Sequence, residues 1–180
     1  MSKINTSHWH PFKIKELFIT EKKGKKLQVP TGAYVEKKLL KDGNTPRITV
    51  MGINNGICGY FDCSDEKNYR KYENFISVSF LGTVFYQKGE ASLDMKVHCL
   101  KPINIELNEY TGLFMVTAIL KSLKNSSYAD QISSTTLPDL SVMLPVDVDG
   151  QPDYSYMTEY MIGLKSNISV SLDSLNLLNS

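Results

Sequence analysis

Three residues of this sequence have the types and spacing of a metal-dependent nuclease site. Asp94 and Lys96 form an Asp-x-Lys stretch, and Glu90 supplies a second carboxylate upstream. Carboxylates in such a pattern can hold a metal ion that activates water. The pattern is short and arises by chance in many chains of this size, so a small nuclease using Asp94 and Lys96 is kept as an alternative.

A second group of residues suits the recognition of nucleic acid rather than catalysis. Lys22, Lys23, Lys25 and Lys26 surround Gly24 in a stretch whose composition predicts a loop. Lysine binds phosphate as a point charge, and the glycine would let the backbone approach a duplex closely. The alternative is a solvated lysine loop without a partner.

Amides cluster in the stretch GINNGICGYF at residues 52–61. Asn55-Gly56 predicts a hairpin turn between a strand at 47–53 and a short strand near 57–61, because both residues tolerate positive φ. The amide side chains can also read base edges. Backbone preference alone would equally explain them.

Other side chains extend the predicted recognition surface. Arginine can pair with guanine, asparagine or glutamine with adenine, and tyrosine can stack or contact a thymine methyl group. Tyr60 could equally belong to the core. The predicted DNA-binding residues are Lys22, Lys23, Lys25, Lys26, Arg47, Asn54, Asn55, Tyr60, Gln87 and Lys88.

Other catalytic and metal-binding patterns are missing from the sequence. It contains no phosphate-binding loop, dinucleotide fingerprint, H-E-x-x-H or G-x-S-x-G motif, so we expect no cofactor bound to this chain. Cys58, Cys63 and Cys99 could in principle hold zinc with His98, but their spacing matches no compact zinc pattern. We expect three reduced, mostly buried thiols, and we expect His98 to face outward from its strand.

Charge is distributed unevenly along the 180 residues. Residues 1–50 carry a net charge of +7 and residues 102–180 carry −6, within a total of +1. This asymmetry favours an anionic partner such as nucleic acid for the first part and another protein for the last. No apolar run could span a bilayer and no secretion signal opens the chain, so we expect a cytoplasmic protein.

Periodicity predicts strands first and helices later. Alternating apolar residues predict strands at 75–86, with a corner at Gly82, and at 94–100. Residues 108–124 have helical spacing, with Asn108 as N-cap and a buried stripe through Leu113, Val116, Ile119 or Leu120, and Leu123. Residues 137–146 read as an edge strand between prolines.

The last stretch repeats apolar residues at helical spacing. This seam predicts a terminal helix that binds either a partner helix or its own domain. The predicted partner-facing residues are Met157, Met161, Leu164, Ile168, Leu172 and Leu175. The predicted organisation is an N-terminal segment at 1–10, a main domain at 11–150 and a C-terminal helix at 151–180.

Four stretches in this order resemble a known family. They are FKIKELF followed by KKGKKL; RITVMGINNGICGYF; FISVSFLGTVFYQKGEASLDMKVHCLKP; and NEYTGLFMVTAILK with LPDLSVMLPV and PDYSYMTEYM. Together they resemble the target recognition domain of a DNA specificity subunit from a type I restriction-modification system, over about residues 11–164. The specificity parts of related enzymes that combine cleavage and methylation are built similarly.

The resemblance implies sequence reading without chemistry. It implies an α+β fold, with a mixed, mostly antiparallel twisted sheet and a packed helix, followed by a connecting helix. It implies three partners: double-stranded DNA, a methyltransferase subunit and a restriction subunit. The two partner subunits of the family use S-adenosylmethionine, ATP and magnesium. Family members carry two recognition domains, so the chain could be a half-subunit that forms a homodimer, a piece of a longer protein, or a decoy for methyltransferase subunits.

Overall fold

The computed structural model describes residues 5–64, 67–125 and 132–178, in which ten strands precede the first of two long helices and one strand lies between the two. The strands are β1 Trp9–Lys13, β2 Glu21–Lys23, β3 Lys26–Gln28, β4 Leu40–Ile48, β5 Ile57–Cys63, β6 Lys71–Tyr72, β7 Phe75–Ser79, β8 Val84–Gln87, β9 Ala91–Leu93, β10 Val97–Leu100 and β11 Ser141–Pro145. The helices are α1 Ile14–Leu17, α2 Glu109–Asn125 and α3 Tyr154–Leu178. Within these residues no helix is long and apolar enough to cross a bilayer.

The centre of the molecule is a three-stranded antiparallel sheet in the order β10-β7-β8. All five residues of β7 are buried, because both faces of this sheet are covered. Successive side chains of a strand point to opposite faces. Ile76 and Val78 therefore join the larger core with α2, whereas Phe75 joins a second core on the other face.

A four-stranded sheet in the order β5-β4-β9-β6 carries the second core. β4 and β9 run parallel, and the other pairs are antiparallel. Ile48 and Leu93 from this sheet pack with Phe75, Val97 and Cys99 from the central sheet. The predicted mixed, mostly antiparallel α+β fold is confirmed.

The first strand begins at Trp9, two residues before residue 11, where the main domain was predicted to begin. Trp9 begins β1 and pairs with Pro145 of β11, and its ring lies 5.6 Å from that of Phe114 on α2. The sequence around Trp9 is polar, which hid the contribution of its one large ring to the core. β11 pairs with β1 alone among the described strands, as predicted for an edge strand.

Helix α2 begins as predicted, but the first residue of its predicted stripe is exposed. Asn108 caps it, since its Oδ1 accepts hydrogen bonds from the backbone N–H groups of Tyr110 and Thr111. Ile119 is fully buried as predicted, whereas Leu113 is 41% exposed. Apolar residues occur nearly all round this helix, so spacing alone does not decide which face is buried.

Glycine at position 112 allows α2 to approach β8 closely. A Cβ atom at Gly112 would lie 2.6 Å from Cγ of Tyr86. The Tyr86 hydroxyl donates a hydrogen bond of 2.9 Å to the carbonyl of Leu107, just before the helix. The ring is therefore clamped between strand and helix.

Among its described side chains, up to residue 169, the terminal helix α3 packs on the domain at its start. Met157 is fully buried and Met161 and Leu164 are half-buried, whereas Ile168 is 50% exposed. The apolar seam thus packs into the domain's own core at Met157 and is exposed at Ile168. The side chains of Leu172 and Leu175 lie outside the described residues.

His98 does not face outward, and that prediction is wrong. Its imidazole is buried on β10, with Nδ1 3.2 Å from Oγ1 of Thr31, because residues 29–32 cover the outer edge of this strand. Burial lowers the pKa of His98 to about 4, more than a backbone hydrogen bond at Ile132 raises it.

Alanine at two helical glycines should change stability in opposite directions. Gly112→Ala places a methyl group against the Tyr86 ring, so we expect a loss of about 1–3 kcal/mol in the free energy of unfolding. At Gly163 on α3 nothing lies within 4 Å of the place that a Cβ atom would occupy. Gly163→Ala should therefore stabilise the protein by up to about 1 kcal/mol through helix propensity. Urea denaturation measures both, and a stabilising Gly112→Ala would contradict the close approach.

Lowering the pH should destabilise the protein through His98. The unfolded chain binds this proton below its ordinary pKa of 6.5, whereas the folded protein does so only near pH 4. The stabilisation is therefore present above pH 6.5 and is lost as the pH falls through 4, by about 3 kcal/mol. Urea denaturation at pH 7 and pH 4 should show this difference between the wild type and His98→Gln. His10→Gln, at an exposed histidine, should keep the wild-type dependence.

Candidate nucleic-acid interface

The four clustered lysines lie on a two-stranded hairpin rather than in the predicted loop. β2 and β3 pair antiparallel around a turn at Gly24 and Lys25, and we call residues 21–28 the lysine hairpin. Gly24 has φ +61° while Lys25 keeps negative φ, which is the pattern of a type II′ turn. Glycine at the first turn position therefore explains why a stretch of loop composition forms strands.

The lysine hairpin exposes positive charge that no ion pair among the described residues neutralises. Lys22, Lys23, Lys25 and Lys26 are all exposed, and no described residue forms an ion pair with them. Lys23 and Lys26 are direct cross-strand partners. Like charges in that position repel, so a polyanion bound at this hairpin would relieve the repulsion.

The Asn-Gly stretch forms the predicted hairpin turn between β4 and β5. Asn54, Asn55 and Gly56 have φ of 49°, 53° and 79°, the left-handed region that asparagine and glycine tolerate best. The backbone N–H of Thr49 donates to the carbonyl of Gly56 across the turn at 2.8 Å. We call residues 49–57 the amide hairpin.

Two predicted base readers, Asn55 and Gln87, instead bind each other. Nδ2 of Asn55 donates to the carbonyl of Tyr86 at 3.2 Å and to Oε1 of Gln87 at 3.0 Å. Nε2 of Gln87 donates back to the carbonyl of Asn55 at 3.0 Å and to Oγ of Ser77 at 3.1 Å. Gln87 is buried, so its predicted contact with bases is not supported. The pair fastens the amide hairpin to the edge of β8.

Arg47 is also withdrawn from the predicted surface. Its side chain is 3% exposed, and Nη2 lies 2.8 Å from Oδ1 of Asp94 and 3.3 Å from the carbonyl of Ala33. The guanidinium also lies over the Tyr69 ring, 5.8 Å from its centroid. An arginine held in this way cannot reach a guanine, so it joins β4 to the turn before β10 instead.

The remaining predicted residues of this surface are exposed. Tyr60 is 54% exposed on β5, which settles that it does not belong to the core. Asn54 is exposed, and its Nδ2 donates to the carbonyl of Ile57 at 3.1 Å. Lys88 is exposed in the turn between β8 and β9.

The carboxylates of the predicted nuclease site are engaged in ion pairs. Asp94 is bound to Arg47, and Oε1 of Glu90 lies 2.8 Å from Nζ of Lys71. Among the described residues no three histidine, cysteine or acidic side chains group so as to hold a metal ion. Of the cysteines only Cys99 is buried, whereas Cys58 is exposed and Cys63 half-buried, so the expectation of mostly buried thiols is wrong.

The two hairpins flank opposite edges of the central sheet. Residues 29–32, which continue from β3, bond to the outer edge of β10, and the amide hairpin lies along the outer edge of β8. Four strand spacings of about 4.8 Å separate these flanking segments, so the two segments lie about 20 Å apart across the sheet.

The sequence-based predictions did not include the exposed apolar residues on two turns, the one between β4 and β5 and the one between β7 and β8. Ile53 is 71% exposed and Leu81 63% exposed. Each lies beside a turn glycine, Gly52 or Gly82, and an apolar residue within a glycine turn was a signal that could have found them.

The chain is similar in sequence to known DNA-specificity proteins. The family model for the type I restriction modification DNA specificity domain matches residues 6–172. Over 163 residues the chain is 28% identical to S.BcgI, the specificity subunit of a type II restriction enzyme from Heyndrickxia coagulans. That match covers 89% of this chain and 44% of S.BcgI.

Two solved structures share its fold. The HsdS subunit from Thermoanaerobacter tengcongensis aligns with a TM-score of 0.59 at 11% identity, covering 93% of this chain and 40% of HsdS. The S subunit of a type I restriction-modification system from M. genitalium aligns with a TM-score of 0.56 at 17% identity, covering 96% and 44%. The chain thus spans less than half the length of these relatives.

Removing the acid that pairs with Arg47 should destabilise the domain. Asp94→Ala leaves a buried guanidinium without its partner, so we expect the free energy of unfolding to fall by about 3 kcal/mol. Glu90→Ala removes the acid of the exposed pair with Lys71 and should lower it by less than about 1 kcal/mol. Urea denaturation measures the free energy of unfolding of both variants. Equal losses would show that the Arg47–Asp94 pair stabilises the protein no more than the exposed Lys71–Glu90 pair does.

Proposed function

Because the chain belongs to the family of type I restriction-modification DNA specificity domains, we propose that it recognises a specific sequence in double-stranded DNA for a restriction-modification complex. The lysine hairpin is the observation that carries this proposal. Four exposed lysines, two of them cross-strand partners, form a surface that a phosphate backbone would stabilise.

Affinity and sequence discrimination have different sources in this proposal. Lys22, Lys23, Lys25 and Lys26 contact phosphates, which positions the domain on DNA without reading sequence. Bases are read from the other side of the central sheet, where Asn54 and Tyr60 on the β4–β5 hairpin are exposed and Lys88 lies in the next turn. Asn55 and Gln87 support that hairpin from behind.

The chain itself makes and breaks no bonds in this proposal. Methylation and cleavage belong to associated methyltransferase and restriction subunits, which would bring S-adenosylmethionine, ATP and magnesium. The acids of the alternative nuclease site hold structural ion pairs, which gives that function no support. A complex of this kind would work in the cytoplasm, where the DNA is.

The part of α3 that follows Leu164 is the proposed docking element for partner subunits. Its seam is buried at Met157 and open by Ile168. The chain corresponds to less than half of its relatives, so it supplies one recognition domain and one helix. Two copies paired through these helices would read an interrupted palindrome, since the symmetry of the protein is mirrored in the site.

Neutralising the paired lysines should weaken DNA binding regardless of sequence. For Lys23→Gln with Lys26→Gln, we expect the slope of log affinity against log salt to become shallower by about 2, because two phosphate contacts are lost. Fluorescence anisotropy with labelled 40-base-pair duplexes of unrelated sequence measures this between about 50 and 200 mM salt.

Two lysines at the end of α2 provide a matched control. Lys121→Gln with Lys124→Gln removes the same charge from exposed positions outside the lysine hairpin. This variant should keep most of the wild-type slope. If both double variants lost affinity equally, binding would follow net charge alone and the lysine hairpin would not be the phosphate contact.

A further inference from the structure

Five large apolar side chains are exposed on three turns at one end of the sheets. The turns are residues 50–56 between β4 and β5, 80–83 between β7 and β8, and 94–96 before β10. We call the exposed side chains the apolar tip: Met51, Ile53, Phe80, Leu81 and Met95, with exposures from 36% to 71%. Single exposed apolar residues are ordinary, but a group of this kind marks an interaction site.

The three turns lie against one another and form one surface. A Cβ atom at Gly52 would lie 3.7 Å from Cγ2 of Thr83, which joins the first turn to the second. The backbone N–H of Phe80 donates to the carbonyl of Lys96 at 3.0 Å, which joins the second turn to the third. The side chains of the apolar tip are therefore carried by three adjoining turns.

Charge at the apolar tip suits a polyanion. The acid among these turn residues, Asp94, is neutralised by buried Arg47. Nζ of Lys96 lies 4.6 Å from the centre of the Phe80 ring, so a cation stands directly beside the apolar side chains. A phosphate beside a DNA groove would find its counter-charge in the Lys96 ammonium group. A protein partner would meet the same single positive group.

The backbone at Lys96 supports a role for that side chain. Lys96 has φ +65°, a conformation that glycine adopts freely and other residues rarely adopt. A non-glycine residue in this region is strained, and such strain is concentrated at functional sites. Lysine at a position where glycine would be more stable indicates that its ammonium group is needed there.

We propose that the apolar tip enters the major groove of DNA and reads thymine by packing against its C5 methyl group, while Lys96 binds an adjacent phosphate. This inference rests on the proposed function and names the chemistry of its sequence reading. In the major groove thymine alone presents a methyl group, which apolar side chains recognise. Arg47 and Gln87, which could have read hydrogen-bonding groups, are buried, and the exposed side chains of these three turns are mostly apolar, with Asn54, Asn55 and Lys96 as the polar ones.

Replacing thymine by uracil tests the proposal, because uracil keeps the base pairing and lacks only the methyl group. The full chain is used to enrich duplexes with a random 20-base-pair core from a thymine library. The enriched duplex is then remade with uracil at one thymine position at a time. At one or more positions we expect uracil to weaken wild-type binding about fourfold, which corresponds to one buried methyl group.

Substitutions at the apolar tip complete the cycle. Ile53→Ala and Leu81→Ala change exposed side chains, so both proteins should fold normally. At the position that each residue reads, the variant should bind the thymine and uracil duplexes equally. Ile103→Ala is the matched control, since Ile103 is 47% exposed beside Pro102, at the far end of β10. It should retain the full effect of uracil.

The outcomes separate the inference from the function on which it rests. Enrichment of a sequence that is insensitive to uracil at every position, or alanine variants that keep the full methyl effect, would overturn the thymine reading and leave DNA recognition standing. Loss of self-association in the alanine variants, with DNA affinity unchanged, would assign the apolar tip to a protein contact and also overturn it. Failure to enrich any sequence would overturn both proposals.

Discussion

The central constraint on this fold is that the edges of a three-stranded sheet must be covered. β10 and β8 each leave one row of backbone groups without a strand partner, and exposed edges of this kind invite unwanted pairing. Residues 29–32 cover β10 with backbone hydrogen bonds to Val97 and Cys99. The Asn55 side chain covers β8 by donating to the carbonyl of Tyr86. The segments that protect the edges are also those that lead into the two hairpins.

Local features of the fold could be predicted from the sequence because their causes are local. The turn at Asn55-Gly56, the corner at Gly82 and the cap at Asn108 each follow from the conformational or hydrogen-bonding preference of one or two residues. The order of such elements along the chain also carried the family resemblance. None of these inferences required knowledge of what lies above or below a strand.

The roles of Arg47, Gln87 and His98 could not be predicted, because they depend on residues distant in the sequence. Arg47 is buried by Asp94 and Ala33, and His98 is enclosed once residues 29–32 lie along β10. Polar side chains on a strand read as outward-facing when the second covering layer is unknown. Gln87 lies opposite Phe75, on the face of the central sheet that the four-stranded sheet covers, and no short-range pattern announces the parallel pairing of β4 with β9 in that sheet.

The hydrogen bonds of Asn55 and Gln87 hold the amide hairpin in one position, as the proposed reading of DNA requires. Mutual hydrogen bonds between Asn55 and Gln87 hold the amide hairpin against β8, and Gln87 is anchored in turn to Ser77 on the central strand. A recognition element held in place before binding loses little conformational entropy when DNA arrives. The amide groups of Asn55 and Gln87 thus fix the backbone of the hairpin on which Ile53 is exposed to solvent. In the proposed function the lysine hairpin then needs only to supply charge, for which a small two-stranded element with long side chains is sufficient.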